Sequence, residues 1–487
     1  MLDHLVCAKS SGNIPGLIGM SVRFLRSIRF YLTSRAVRPW GLAAPVVALL
    51  IALPLLRPLL QPGELSDPEY LLVQTTQSLV DRGTLALPPA AAAIAQRGVI
   101  VVEGRYYADQ PPVYAVLLSG PSRLLDRMGL GWIDHPDLHL YLLTLLGATL
   151  PTALASALIY RTSRIFELRR PMRAMLALAT LLGTGWISYA TVLNPHAPAA
   201  ALLLAGLAVV LLVAASPAGG SIAWYLVAGA CLALAGAIDA FAVIPALAIA
   251  IAPLALPRTW RVRSTGIALL LVGGMPAVLL HVAWWTPLTG EILPRWHHPE
   301  LSIRPPADAP IPPIDDPEVG PIDDSLWLAA GRQLNRWIVI TFGAHGLLSH
   351  FPILVIALLG VVATLRRHWP GGIKLLAATT TAAVTLTVIG AVLARLDWRD
   401  AMFACRWLIA GLPLLMLWAG AWLKRSHHPA TWALAACLLA ISTAVSLIGA
   451  VQPMPPSGFT RHTAIESAQR IIDPPPMHEQ RIVLVGG

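Results

Sequence analysis

The residues in this chain that most suggest chemistry are two acids at the start of a helix. Ser66-Asp67-Pro68-Glu69-Tyr70 opens a stretch that runs to Asp81-Arg82-Gly83, directly after the first long apolar run. A carboxylate held there can take a proton from an attacking hydroxyl, which is what group transfer to an alcohol requires. The same spacing has a purely structural explanation. Ser66 would be the N-cap, Glu69 would reach back to its amide, the helix dipole would favour both acids, and Gly83 would close the C-terminus. Read that way, the acids contribute about 1 kcal/mol of local order. Spacing alone leaves both readings standing.

The remaining candidate groups are more scattered. His196, in "LNPHAP", sits at a turn between two apolar runs, where it is either a helix-start residue held by backbone or a group near a phosphate or a transferred proton. His297, His298, His345 and His350 show neither H-x-x-x-H nor H-E-x-x-H spacing. Cys7, Cys231, Cys405 and Cys437 lie far apart with no CxxC pair. Neither a zinc site nor a disulfide framework is indicated. The repeated "IDD" of residues 312 to 324 brings Asp315, Asp316, Asp323 and Asp324 close in sequence, but in a Pro-rich stretch that reads as an extended linker and matches no calcium loop.

These groups must be positioned by an apolar frame. Of 487 residues, 56% are hydrophobic and 12% charged, and mean hydropathy is +0.67, which excludes a soluble globule. The balance of 35 basic and 25 acidic residues (+10) comes without a basic tract on a soluble face, so nucleic acid is not the partner; the lipid bilayer is. A helix needs about 20 apolar residues to cross the hydrocarbon core. Eleven stretches qualify, over residues 41 to 60, 138 to 160, 174 to 192, 197 to 215, 221 to 238, 240 to 257, 265 to 285, 345 to 364, 373 to 393, 405 to 423 and 430 to 450. The expected class is an all-α polytopic membrane protein. Its parts are a basic N-terminus (1–40), a first membrane core (41–285) interrupted by a long loop (61–137), a Pro-rich acidic loop (286–344), a second membrane core (345–450) and a tail (451–487).

Charge sets the expected orientation. Lys9, Arg23, Arg26, Arg29, Arg35 and Arg38 against Asp3 (6 − 1 = +5) place the N-terminus in the cytoplasm. Met20 precedes this basic segment and is an alternative start; the apolar run begins only near Trp40, so no cleavable signal is expected. The other loops assigned inside are basic. Residues 61–137 (nine acids, five Arg) and 286–344 (eight acids, four Arg) each carry −4 and fall outside. The alternation holds only if Val113 to Leu125, about 13 residues broken by Gly120 and Pro121, lies in the outer interface without crossing. The charged spots within or beside spans are Arg57 and Asp239, so the polar inventory is concentrated at the outer surface. Trp284, Trp285 and Trp296 read as an interfacial aromatic belt, with stacking on sugar rings as the alternative. Arg105, Arg295, Arg332, Arg336, Arg395, Arg399 and Arg406 supply planar donors on the outer side; Arg406 stands where an outer loop enters a span and is the best placed to hold a phosphate.

Four stretches resemble GT-C glycosyltransferases, multi-span enzymes such as the protein O-mannosyltransferases and the bacterial aminoarabinose transferases of lipid A. These are the acidic pair with Tyr70 after the first span, "GRYYADQPPVYAVLLSGPSRLL" (104–125), "HGLLSHFPILVIALLG" (345–360) and "DWRDAMFACRWLIAGLPLL" (397–415). The resemblance implies a first outer loop carrying the catalytic acid, Asp67, with Glu69 as its partner or a metal ligand. It also implies a juxtamembrane helix begun by Asp109-Gln110-Pro111-Pro112, and substrate contacts from Tyr70, Arg105, Asp109, His196 and Arg406. The implied donor is a polyprenyl-phosphate-linked sugar, with a glycan, lipid or protein acceptor, at the inner (plasma) membrane. A divalent metal is compatible, and nothing in the sequence demands one. Three positions depart from the pattern. Many relatives have an Asp in the outer turn where this chain has Asn194 and His196, some have a basic residue where it has Asp239, and "MFACR" with Met402 replaces an S-F-G-x-R stretch. The alternative is a non-catalytic protein: a lipid-linked-sugar transporter or a degenerate GT-C-like scaffold.

Overall fold

The computed structural model describes residues 39–56, 65–95, 98–215, 222–256, 259–290, 292, 326–343, 346–366, 369–393, 403, 404, 406–426, 428–451, 453 and 468. Several residues named above lie outside this set: Arg57, Arg295, Arg395, Arg399, His297, His298, Trp296, His345, Met402, Cys7, Cys405 and the four Asp of 315 to 324. The same holds for most of the N-terminal segment and of the tail.

The first helix, α1 (Pro39–Leu55), leads into the first loop, which folds as a compact unit. Here α2 (Asp67–Asp81) and α3 (Pro89–Ile94) precede strands β1 (Val99–Val102) and β2 (Arg105–Ala108), and α4 (Val113–Arg127) closes it. The hairpin turns at Glu103 (φ 50°) and Gly104 (φ 74°), two left-handed residues that match the twist of the paired strands. A small apolar core of Tyr70, Leu71, Leu87, Ala91, Ala92, Ala95, Val99 and Ala108 holds α2 and α3 to the hairpin.

The helical bundle follows: α5 (Pro136–Thr144), a π-helical turn (Leu145–Thr149), α6 (Leu150–Thr162), α7 (Arg170–Gly183), α8 (Trp186–Tyr189), α9 (His196–Ala215), α10 (Trp224–Ile238), α11 (Val243–Ile251) and α12 (Trp260–Thr289). After the second long loop come α13 (Leu326–Phe342), α14 (Leu347–His350), α15 (Leu354–Arg366), α16 (Gly371–Leu393), α17 (Leu412–Leu417), α18 (Ala419–Arg425) and α19 (Pro429–Val451). The protein is a polytopic helical membrane protein. Among the described residues five helical segments are long and apolar enough to cross a bilayer: Pro136–Phe166, His196–Ala214, Trp260–Thr289, Gly371–Val392 and Pro429–Val451. A pair bent by 90°, Leu334–His350 with Leu354–Arg366, is a sixth if it counts as one broken span, or else a re-entrant loop. Most of the other expected spans are present as shorter or broken helices, so the count of eleven is not reproduced by length. The 15-residue α4 is not among the helices long and apolar enough to span. A helix at α13 inside the stretch read as loop 286–344 was not expected.

Tight helix contacts come from small residues. A Cβ on Gly229 of α10 would meet the Leu270 carbonyl of α12 at 2.0 Å, and one on Gly273 would meet the Leu226 carbonyl at the same distance. The two backbones touch because neither glycine has a side chain. At one end of the bundle Lys424 pairs with Glu167 (3.3 Å), joining the two basic stretches 161–173 and 424–425. At the opposite end the first loop rests against α12, where Trp285 and Leu288 line a crevice shared with Tyr107, Gln110 and Pro111.

Candidate functional site

The acid-bearing helix α2 begins after Ser66, whose carbonyl accepts from the Tyr70 amide (2.8 Å). The Ser66 side chain makes no cap hydrogen bond to the helix, so the serine half of the capping box expected from the spacing is not formed. Pro68 is pre-set for a first turn, and Gly83 (φ 67°) follows the last turn as the cap residue anticipated from its position.

The two acids occupy different environments. Glu69 is fully buried, and its Oε1 accepts the Leu193 amide at 3.1 Å across 124 residues of chain. Burial of a carboxylate is costly without such partners. Asp67, two residues earlier, is half-buried. Between them the Pro68 carbonyl accepts from Gln110 Nε2 (3.2 Å), so Asp67-Pro68-Glu69 and Asp109-Gln110-Pro111-Pro112 meet in space. Asp109 is half-buried and its amide donates to the Gly98 carbonyl (2.7 Å).

Glu69 reaches an irregular segment, residues 184–195, buried at the end of the bundle. It begins at Gly185 (φ 68°), where a Cβ would collide with the Phe351 ring. Irregular backbone at membrane depth survives only with every polar group answered by protein. Thr149 of the π-turn donates to the Ala190 carbonyl (2.7 Å), Ser188 donates to the Ser446 carbonyl (2.6 Å), and Thr191 donates to the Ala450 carbonyl (2.9 Å). Asn194 gives its amide hydrogens to the Tyr189 and Val192 carbonyls, while its Oδ1 accepts the Ala197 amide (3.0 Å), capping α9.

The first residue of α9, His196, faces Asp239 at the break between α10 and α11, with Nδ1 2.8 Å from Oδ2. The side chains are 8% and 2% exposed. The other oxygen of Asp239 accepts the Phe241 amide (3.0 Å). Two positions that depart from the GT-C pattern are therefore bonded to each other. Edge contacts with Tyr189 and Phe241, both at 6.3 Å, flank the imidazole, and Phe241 stacks on Trp407 (5.9 Å). Arg406, half-buried, precedes Trp407, and Ala404 just before it is held in the left-handed region (φ 51°), a strained conformation for a residue with a Cβ.

The expected site residues thus divide. Asp67, Glu69, Asp109 and His196 are linked through Gln110, Leu193 and the loop between them, and Arg406 adjoins the His196 cluster through Phe241 and Trp407. Tyr70 packs its ring in the loop core, 8% exposed, and burial pushes its hydroxyl above the ordinary value. Arg105 is exposed at the hairpin tip, paired across the strands with Val102. Among the described residues no three His, Cys, Asp or Glu side chains come close enough to share a metal ion. In the sequence Asp239 stands out as a charge beside a span and as a departure from the GT-C pattern, and Asn194 as a departure alone. The signal that pairs Asp239 with His196 is topological, because the start of one apolar helix and the end of the next, antiparallel to it, fall side by side.

No protein-family model matches the chain, and no curated protein matches it. Among solved structures it is similar to ArnT from Cupriavidus metallidurans in the apo state, with 16% identity and TM-score 0.48 over 90% of this chain and 69% of that one. It is also similar to the same ArnT bound to undecaprenyl phosphate, with 15% identity and TM-score 0.46 over 85% and 70%. A third is the apo oligosaccharyltransferase of Archaeoglobus fulgidus, at 11% identity and TM-score 0.47 over 86% of this chain and 57% of that one. These neighbours are GT-C enzymes. At such scores the likeness is one of layout and assigns no residue a role.

Proposed function

We propose that this chain is a membrane glycosyltransferase that takes a sugar from a polyprenyl-phosphate donor and passes it to a glycan, lipid or protein acceptor on the outer side of the inner (plasma) membrane, with its N-terminus cytoplasmic. The observation that carries the reading is the division of labour between the two loop acids. Glu69 is committed to the Leu193 amide and fastens the loop to the bundle. Asp67, on the same turn, keeps part of its surface. In this reading Asp67 accepts the proton of the acceptor hydroxyl as its oxygen bonds to the anomeric carbon. The bond from that carbon to the phosphate oxygen breaks, and its electron pair leaves with the lipid phosphate. Arg406 balances the charge that collects there. A phosphate needs little protonation to depart, so one carboxylate suffices as base.

The helix breaks at Gly185 and Asp239 raise the rival reading of a transporter. Both breaks belong to the end of the bundle that meets the first loop, as the Glu69–Leu193 bond and the His196–Asp239 pair require. That favours chemistry at a membrane face over a path through its middle. The test is purified protein in nanodiscs, offered an undecaprenyl-phosphate-linked sugar or a nucleotide sugar with an acceptor mixture from the cell envelope. Turnover of the lipid-linked donor alone is expected, and transfer from the nucleotide sugar in the absence of lipid contradicts the proposal.

A further inference from the structure

The His196–Asp239 pair is oriented more strictly than a hydrogen bond between two side chains requires. The Phe241 amide is a fixed donor and takes Asp239 Oδ1 at 3.0 Å. The remaining oxygen, Oδ2, is therefore the one presented to His196 Nδ1 at 2.8 Å. A carboxylate accepts only, so Nδ1 must carry the proton, and in the neutral ring the lone pair sits on Nε2. Among the described residues His196 has no other hydrogen-bond partner, and its side chain keeps 8% of its surface. The carboxylate–imidazole arrangement is the one by which an orienting acid fixes the working tautomer of a histidine. The charged and titratable groups around it are Asp239 itself, Tyr189 at the ring edge, Glu69 through Leu193, and Arg406 beyond Phe241 and Trp407.

We propose that Asp239 is a positioning residue that locks His196 in the Nδ1-protonated form, and that the Nε2 so exposed accepts a hydrogen bond from a hydroxyl of a sugar ring. The ligand class rests on the glycosyltransferase reading; the tautomer does not. A site that hydrogen-bonds a substrate hydroxyl discriminates strongly against an analogue without it, because the buried acceptor is then left unanswered.

The decisive variant is Asp239→Asn. Its amide has one acceptor and one donor, and the Phe241 amide claims the acceptor. The Asn NH₂ must then face Nδ1, which moves the ring proton to Nε2 and abolishes the lone pair there. A merely structural pair would be satisfied by this change, since both hydrogen bonds survive with their directions adjusted. Two measurements on the full-length protein in nanodiscs read the difference. ¹⁵N-histidine spectroscopy, with His196 assigned by its loss in His196→Gln, is expected to show Nε2 unprotonated in the natural chain and protonated in Asp239→Asn. Turnover of an undecaprenyl-phosphate-linked sugar is expected to fall at least tenfold in Asp239→Asn at nearly unchanged thermal stability, and in His196→Leu, which also lowers stability because Asp239 Oδ2 is left buried without its donor. His196→Gln, whose amide oxygen can stand near the Nε2 position, recovers most of the rate. An Nε2-protonated His196 in the natural chain overturns the lock. Normal turnover of Asp239→Asn, in a protein that loses activity in Asp67→Asn, overturns the substrate role while leaving the glycosyltransferase reading intact. Absence of turnover by the natural chain with any lipid-linked donor removes both the function and the sugar contact, and the spectra alone then decide the tautomer.

Discussion

Among the described residues two histidines sit beside aspartates, and only one of them has a ring nitrogen to spare. Where the first loop meets the start of α5, His139 Nδ1 is 2.7 Å from the Leu130 carbonyl and 3.7 Å from Asp126, while Nε2 is 2.9 Å from Ser122 Oγ. Those residue types are the ones from which hydrolases build a nucleophile. Yet the Ser122 oxygen also accepts from Trp132 Nε1 (3.1 Å), the Trp132 ring stacks on the imidazole at 3.9 Å, and both Ser122 and His139 are fully buried. Every donor and acceptor is used by the protein. This cluster pins α4 to the start of α5. At His196 one nitrogen is engaged and the other is available. A constellation becomes a site through the atom the protein leaves unanswered, more than through the residue types present.

The contrast breaks most visibly at the closed centre. His139→Ala leaves the Ser122 hydroxyl without its acceptor and opens a cavity beside Trp132, so a loss of about 3 kcal/mol is expected, and Ser122→Ala should cost less, about 1–2 kcal/mol. Calorimetry or thermal scanning in detergent measures both. The turnover of whatever fraction remains folded should match that of the natural chain within a few-fold. A variant at Ser122 that folds normally and abolishes turnover would turn the closed cluster into a second active centre.

A smaller effect sharpens the same point through pH. Burial pushes the Asp126 carboxyl above its ordinary value; nearby His139 pulls it back and Asp81 adds to the rise. With the folded value above the unfolded one, the stabilisation from this group is complete at acid pH below the unfolded value and is lost as pH rises through the folded one. Asp126→Asn is therefore expected to be silent near pH 3 and slightly stabilising near pH 7, in thermal unfolding at the two pH values. Asp126 is about a third exposed, so the shift in melting temperature should be the smallest of those proposed, and a destabilised variant at pH 7 would show that Asp126 supports His139 more than burial opposes it.

What the residues disclosed and what they concealed follow from range. The ends of α2 were readable because Pro68 and Gly83 act within a turn of where they stand, and α4 was readable because 13 apolar residues cannot cross a bilayer. The hairpin is not legible in the sequence, because Glu103-Gly104 is a weaker turn signal than Asn-Gly and Val99–Val102 is a short run beside much longer apolar ones. In the stretch 286–344, prolines between 305 and 321 dominated the reading and hid α13. The role of Glu69 was concealed for a different reason. Three residues after a serine, it satisfies a local pattern, but it bonds a residue 124 positions away, and no local spacing reports that. The Asp239–His196 contact is similarly long in sequence, and became evident only when the ends of the two helices were placed together.

Whether loop acid Asp67 does chemistry is the most direct question the molecule poses, and turnover of Asp67→Asn in nanodiscs with an undecaprenyl-phosphate-linked sugar answers it. Asn keeps the size and the helix-start compatibility of Asp but cannot take a proton. A fall of about 10² or more is expected at nearly unchanged thermal stability, with Ser66→Ala as the companion, expected to spare most of the rate. An Asp67→Asn protein with near-normal turnover would contradict the account and leave both acids as structural residues of the loop.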